Sequence, residues 1–213
     1  MTPSRGISVA FFLSGAAGLI FEVVWFHRFG LVFGQSVGAT SIVLSSFMGG
    51  LALGSALVRA RPRPLGNALR AYAVLEVIVA ATGVALTYAL PHLPALTATL
   101  PRLVASFAAL MIPTTAMGAT LPLLVGSWPG GDGQFDRALG HLYGWNTLGA
   151  VCGALFAELV LVARVGVAGS AWGAAALNLG LGLWRCFIAP SCFDAGKLEF
   201  LSLRLAYELR KFF

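Results

Sequence analysis

Apolar residues run through this chain in long blocks. Six stand out: Ile7–Trp25, Val37–Val58, Leu69–Leu90, Leu103–Val125, Leu139–Val162 and Val167–Leu183. Each approaches the ~20 residues that a helix needs to cross the hydrocarbon core of a bilayer. None shows the two-residue alternation of a barrel strand, and open strands leave backbone groups unpaired in lipid, so the blocks predict helices. The expected fold is all-α: a polytopic membrane helix bundle of about six transmembrane helices over residues 1–186. The first block outruns a signal peptide, and Ser14-Gly15-Ala16-Ala17 is not followed by a polar stretch, which predicts a retained first helix. After Ala189-Pro190-Ser191 the pattern changes. Leu198, Leu201, Leu205, Leu209 and Phe212 recur at spacings of three and four, predicting an amphipathic helix in a tail over 187–213. Such a helix lies on a membrane surface or docks on a partner.

Composition agrees with lipid as the main solvent. Of 213 residues, 58% are hydrophobic and 10% charged, and mean hydropathy is +0.86. A soluble domain carries about 25% charge. The net charge of +6 is distributed by loop. With the N-terminus inside, the cytoplasmic side receives Arg5, Arg59, Arg61, Arg63, Arg70, Arg137, Arg185 and the basic residues of the tail. The outside receives Arg28, Arg102 and Arg164. This asymmetry is the positive-inside pattern, and it predicts a bacterial plasma (inner) membrane protein with both termini cytoplasmic. It also accounts for the basic balance without nucleic acid. The 26 glycines include Gly50-x3-Gly54, Gly140-x3-Gly144, Gly149-x3-Gly153 and Gly169-x3-Gly173. Small residues at that spacing let helix backbones approach closely, within the bundle or across a homo-oligomer or hetero-subunit interface. Asn146 and Asn178 are expected to hydrogen-bond between helices.

Polar chemistry is sparse. Glu22, Glu76 and Glu158 stand inside apolar blocks. Each costs roughly 2.5–3.5 kcal/mol to insert at a helix centre, so each is expected to face protein or water. Small residues share their helical faces, which points all three into the bundle. Arg28 and Arg164 follow Glu22 and Glu158 on their own blocks, which predicts cross-helix pairs, Glu22 with Arg164 or Glu158 with Arg28. The alternatives are a neutral, protonated glutamate, or a cation or proton site. In the fourth block, Pro113 and Pro122 flank Thr114, Thr115 and Thr120. Each proline removes a helical N–H, so this block is expected either to break and line a cavity, as transporter helices do, or simply to kink.

The remaining residues exclude more than they suggest. His27, His92 and His141 lie on different segments near loop ends, and the three cysteines, Cys152, Cys186 and Cys192, form no CxxC pair. No metal, no cofactor and no catalytic constellation is expected, and the chain is not expected to be an enzyme. Gly130-Gly131-Asp132-Gly133 follows no strand and reads as a turn between membrane helices.

Four ordered motifs carry a family likeness: Leu13-Ser14-Gly15-Ala16-Ala17-Gly18-Leu19-Ile20-Phe21-Glu22-Val23-Val24-Trp25; Phe47-Met48-Gly49-Gly50-Leu51-Ala52-Leu53-Gly54-Ser55; Pro113-Thr114 with Met117-Gly118-Ala119-Thr120-Leu121-Pro122; and Leu142-Tyr143 with Asn146-Thr147-Leu148-Gly149-Ala150. Over residues 7–183 the chain resembles the membrane portion of bacterial spermidine synthase-like proteins, the fused transporter/spermidine synthases. The resemblance implies a module that binds or transports small cations such as polyamines. Family members continue into a cytoplasmic aminopropyltransferase domain, for which no stretch here is expected to supply a nucleotide-binding sheet. The alternative expectation is a non-catalytic accessory or structural subunit of a larger membrane complex.

Overall fold

The computed structural model describes residues 5–34, 36–60, 68–95, 99–125 and 132–188, and every element among them is helical. The helices are α1 (Arg5–Phe33), α2 (Val37–Arg59), α3 (Ala68–Ala89), α4 (Thr99–Val125), α5 (Asp132–Phe156) and α6 (Val162–Ile188). A 3-10 turn, Leu90–Ala95, follows α3, and a π-helical turn, Ala157–Leu161, joins α5 to α6. The expected amphipathic tail, Arg61, Arg63 and Cys192 lie outside the described residues.

Local chemistry explains several boundaries. Ser36 caps α2: its backbone is extended and its hydroxyl accepts the Ala39 N–H at 3.2 Å. Hydroxyls inside the apolar helices bond back to their own backbone, Thr82 to the Ile78 carbonyl and Thr87 to that of Gly83. Their polarity is therefore satisfied without a partner helix.

Among the described residues, five helical stretches are long and apolar enough to cross a membrane, the last running from Asp136 to Trp184. That stretch is really two limbs. Gly166 has φ 71 and ψ 176, a conformation outside the helix that an L side chain resists, and the chain turns there. Contacts on either side show the reversal. Phe12 and Ala16 of α1 meet Gly149 and Gly153 of α5 in the same order, so these helices run parallel. Beyond Gly166, Trp172 reaches Tyr88 while Gly182 lies against Ala73, so α6 runs antiparallel to α3. Ser14 bonds to Glu76 and Phe21 packs on Gly83, making α1 and α3 parallel. Thus α1, α3 and the α5 limb run one way, and α2, α4 and the α6 limb the other.

α1 is the centre of the bundle, packed against α5, α6 and α2. Its Phe11, Phe21, Val24, Trp25 and Phe29 are all essentially buried. α2 and α4 form a separate tight pair, seamed by glycine. A Cβ at Gly54 would strike the Thr115 carbonyl, and one at Gly118 would strike that of Leu51. The expected small-residue motifs divide accordingly. Gly50-x3-Gly54 packs on α4 and Gly149-x3-Gly153 on α1, whereas Gly140, Gly144 and Gly173 face open space.

Helix α4 corrects the broken-helix expectation. Pro113 and Pro122 stand inside an uninterrupted helix. The missing Pro122 N–H would have bonded the Gly118 carbonyl, and Ser55 of α2 donates to that carbonyl instead, at 3.0 Å. Thr114 is buried and donates to Leu110 O at 2.8 Å and toward Ser46 O of α2 at 3.3 Å. Thr120 donates to Met117 O at 2.7 Å. Thr115 presents its carbonyl to Gly54 in the seam. Ser55, Thr114 and Thr115 lie in the α2–α4 seam, the Thr120 bond is internal to α4, and a neighbouring hydroxyl takes over the acceptor orphaned by Pro122.

Candidate functional site

Two of the three glutamates within the apolar blocks are enclosed as expected. Glu22, on α1, is 5% exposed and Glu76, on α3, is 1% exposed. Glu76 accepts a hydrogen bond from the Ser14 hydroxyl at 2.7 Å. Tyr72, one turn earlier on α3, directs its hydroxyl at the same carboxyl. Gly182 of α6 lets a third helix close over this carboxyl; a Cβ there would lie 3.9 Å from the Cβ of Glu76. The result is a buried polar knot binding α1, α3 and α6. No hydrogen bond to the Glu22 carboxyl forms among the described residues. Trp25 on the same helix is fully buried with its indole N–H unpartnered among them.

Glu158 departs from expectation. Its side chain is 58% exposed. The face of α5 that meets α1 is formed by Leu142, Gly149, Gly153 and Ala157, all buried. Glu158 follows Ala157 and therefore projects from the edge of that face. Thr147, which shares its side of the helix, is also exposed. Small residues occur on both sides of α5, so their presence did not identify the contact face.

The expected glutamate–arginine pairs are not formed. No contact within 4 Å joins Glu22 or Glu158 to Arg28 or Arg164 among the described residues. Glu158 instead pairs with His27, Nε2 to Oε2, at 3.0 Å. With the carboxylate ionised, the imidazole is the donor, and it carries its proton on Nε2. The reason lies in helix phase. Phe12, Ala16, Val23 and His27 recur at four- or seven-residue spacing on the α5-facing stripe of α1, whereas Arg28 is one residue further round. That spacing was the signal in the sequence which could have singled out His27. Arg28 keeps its Nε buried without a partner among the described residues, and Arg164 is exposed.

The pair forms one wall of a cleft of about 290 Å³, lined also by Val23, Phe26, Phe29, Gly30, Gly34, Ala39 and Thr40. The cleft lies where α1 ends and α2 begins, beside the π-helical turn that carries Glu158. π-Helical turns widen a helix locally and recur at functional sites. At the opposite end of α1, Ser8 and the Trp145 indole both contact His141 Nε2, at 3.0 and 3.1 Å. No group of three or more potential metal ligands occurs among the described residues. Of the asparagines, Asn146 packs against Gly15, while Asn178 is buried with its Oδ1 unpartnered among the described residues. Neither makes the expected interhelical hydrogen bond among those residues.

No protein-family model, curated protein or solved structure matches the chain.

Proposed function

We propose that the chain is a membrane-embedded module that binds or transports small cations, polyamines among them, across a bacterial plasma membrane. The observation that carries this reading is the enclosure of two carboxyl groups, Glu22 and Glu76, at 5% and 1% exposure inside a bundle of membrane-length helices. Intramembrane carboxyls are costly and mark cation or proton pathways more often than lipid-facing positions. The likeness of the α1, α2, α4 and α5 motifs to spermidine synthase-like membrane proteins belongs to the same proposal. No enzymatic activity is part of it.

Six spans and cytoplasmic termini complete the proposal. The six helical limbs alternate in direction, and Arg5, Arg59, Arg70 and Arg137 gather at one end while Arg28, Arg102 and Arg164 gather at the other. The arginine-rich end is the cytoplasmic one. Uptake of labelled spermidine by liposomes carrying the purified chain tests the transport reading. Uptake above that of empty liposomes, lost in Glu76→Gln, is expected. Flux and binding both indistinguishable from empty vesicles would sink the reading.

A second reading has its own support. Gly140, Gly144 and Gly173 leave open small-residue surface on α5 and α6, next to exposed Tyr143, Leu148, Val151 and Trp172. That face suits an accessory subunit that docks against other membrane helices or a second copy. Gentle detergent extraction followed by mass spectrometry distinguishes the readings. A stoichiometric partner supports the accessory role, and a lone chain argues against it.

A further inference from the structure

We propose that the cleft between the end of α1 and the start of α2 binds the primary ammonium head of an organic cation, with Glu158 as its anionic ligand and His27 as a positioning residue. The inference deepens the cation reading above and rests on it. Glu158 Oε2 is held by His27, but no hydrogen bond to Oε1 forms among the described residues. One carboxylate oxygen is thus oriented and the other is free to accept. The side chain's 58% exposure keeps that oxygen within reach of a ligand entering the cleft.

The other walls select among ligands. Val23, Phe26 and Phe29 supply apolar surface for a methylene chain, and a phenyl face attracts a cation at close range. Among the described residues the lining holds no lysine or arginine, and Arg28, Arg102 and Arg164 at the same end of the bundle lie outside it, so the fixed charge on the wall itself is that of Glu158. A transition-metal ion is poorly served, because zinc sites use at least three protein ligands and, among the described residues, the lining offers His27 and Glu158 alone. The volume, about 290 Å³, is at the small end for a ligand pocket. By volume it accommodates an ammonium head together with a short polymethylene chain. In the proposed orientation the cleft is on the external side, where such a cation would first meet the protein.

The test uses the full chain in phosphatidylcholine nanodiscs, whose neutral lipid gives a polycation no anionic surface. Labelled spermidine is titrated, with butylammonium, tetramethylammonium and Zn²⁺ as competitors. Glu158→Gln is expected to weaken spermidine binding about tenfold or more, the loss of one charge-assisted hydrogen bond. Thr40→Trp, which fills the cleft from an exposed position on α2, should abolish it independently. His27→Ala should weaken binding, and His27→Gln, which retains a donor, should restore most of it. Asp136→Asn removes an exposed carboxylate at the other end of the bundle and should change nothing. Butylammonium should compete, and tetramethylammonium, which has no N–H donor, should not. Wild-type affinity in both Glu158→Gln and Thr40→Trp would overturn the cleft assignment while leaving the cation module standing on Glu22 and Glu76. Absence of spermidine binding to the wild type would remove both. Tight Zn²⁺ binding lost in His27→Ala and Glu158→Gln, without competition by butylammonium, would replace the amine site with a metal site.

Discussion

Gly54→Ala puts the α2–α4 seam to the test with a single methyl group. A Cβ at this position overlaps the Thr115 carbonyl and comes within 2.8 Å of the Ala119 nitrogen and 2.9 Å of the Gly118 carbonyl carbon. All three are backbone atoms of a continuous helix, so no side-chain rotation relieves the contact, and the helices must separate. Overpacking of this kind costs about 1–3 kcal/mol. Separation also stretches the Ser55–Gly118 and Thr114–Ser46 hydrogen bonds that cross the seam, each worth about 0.6 kcal/mol in a membrane bundle. Against this, alanine gains about 1 kcal/mol over glycine in helix propensity. The overlap wins, and the net loss is about 2 kcal/mol, corresponding to a fall in Tm of roughly 4–8 °C for a chain of this size. Gly173→Ala is the matched control, since a Cβ there meets nothing within 4 Å and should be neutral or stabilising. Thermal unfolding of both variants in the same detergent measures the difference. Equal Tm values for the two would refute the close α2–α4 approach.

Three further outcomes follow from particular contacts. Ser55→Ala should destabilise by about 0.6 kcal/mol, and the loss should shrink in a Pro122→Ala background, where a restored N–H reaches the Gly118 carbonyl; additive losses in the double-mutant cycle would separate Ser55 from the proline. Gly166→Ala should destabilise by about 1 kcal/mol or more, because an L side chain is strained at φ 71; unchanged stability in a chemical-denaturation series would mean that the α5–α6 turn does not need a left-handed residue. A single cysteine placed beside Arg102 should be labelled by an impermeant maleimide from outside intact cells, and one beside Arg63 should not; the reverse pattern would invert the proposed orientation and move the His27–Glu158 cleft to the cytoplasmic side.

The all-helical class and the presence of helices long and apolar enough to cross a membrane were legible in the sequence because they depend on how much apolar length is available. The helices observed over α2, α3 and α4 match the apolar blocks closely, since a helix in lipid continues until its side chains demand water. The enclosure of Glu22 and Glu76 was legible because a carboxylate in an apolar block gains by turning toward protein, although the same argument failed for Glu158. Which residue meets which was a matter for the tertiary structure. Residues 139–188 hold small side chains on several faces, and only the packing of α5 on α1 decides that Gly149 and Gly153 are inside while Gly140 and Gly144 are not. That choice leaves Glu158 at the edge of the contact and delivers it to His27 instead of Arg28, a difference of about 100° around one helix. The fate of Pro122 was equally undecidable from α4 alone, because the hydroxyl that rescues its orphaned carbonyl comes from Ser55, 63 residues from Gly118 in the chain. Local pattern sets which segments become helices in lipid; the azimuth of each helix, and so every polar partnership across the bundle, is set by contacts between segments far apart in sequence.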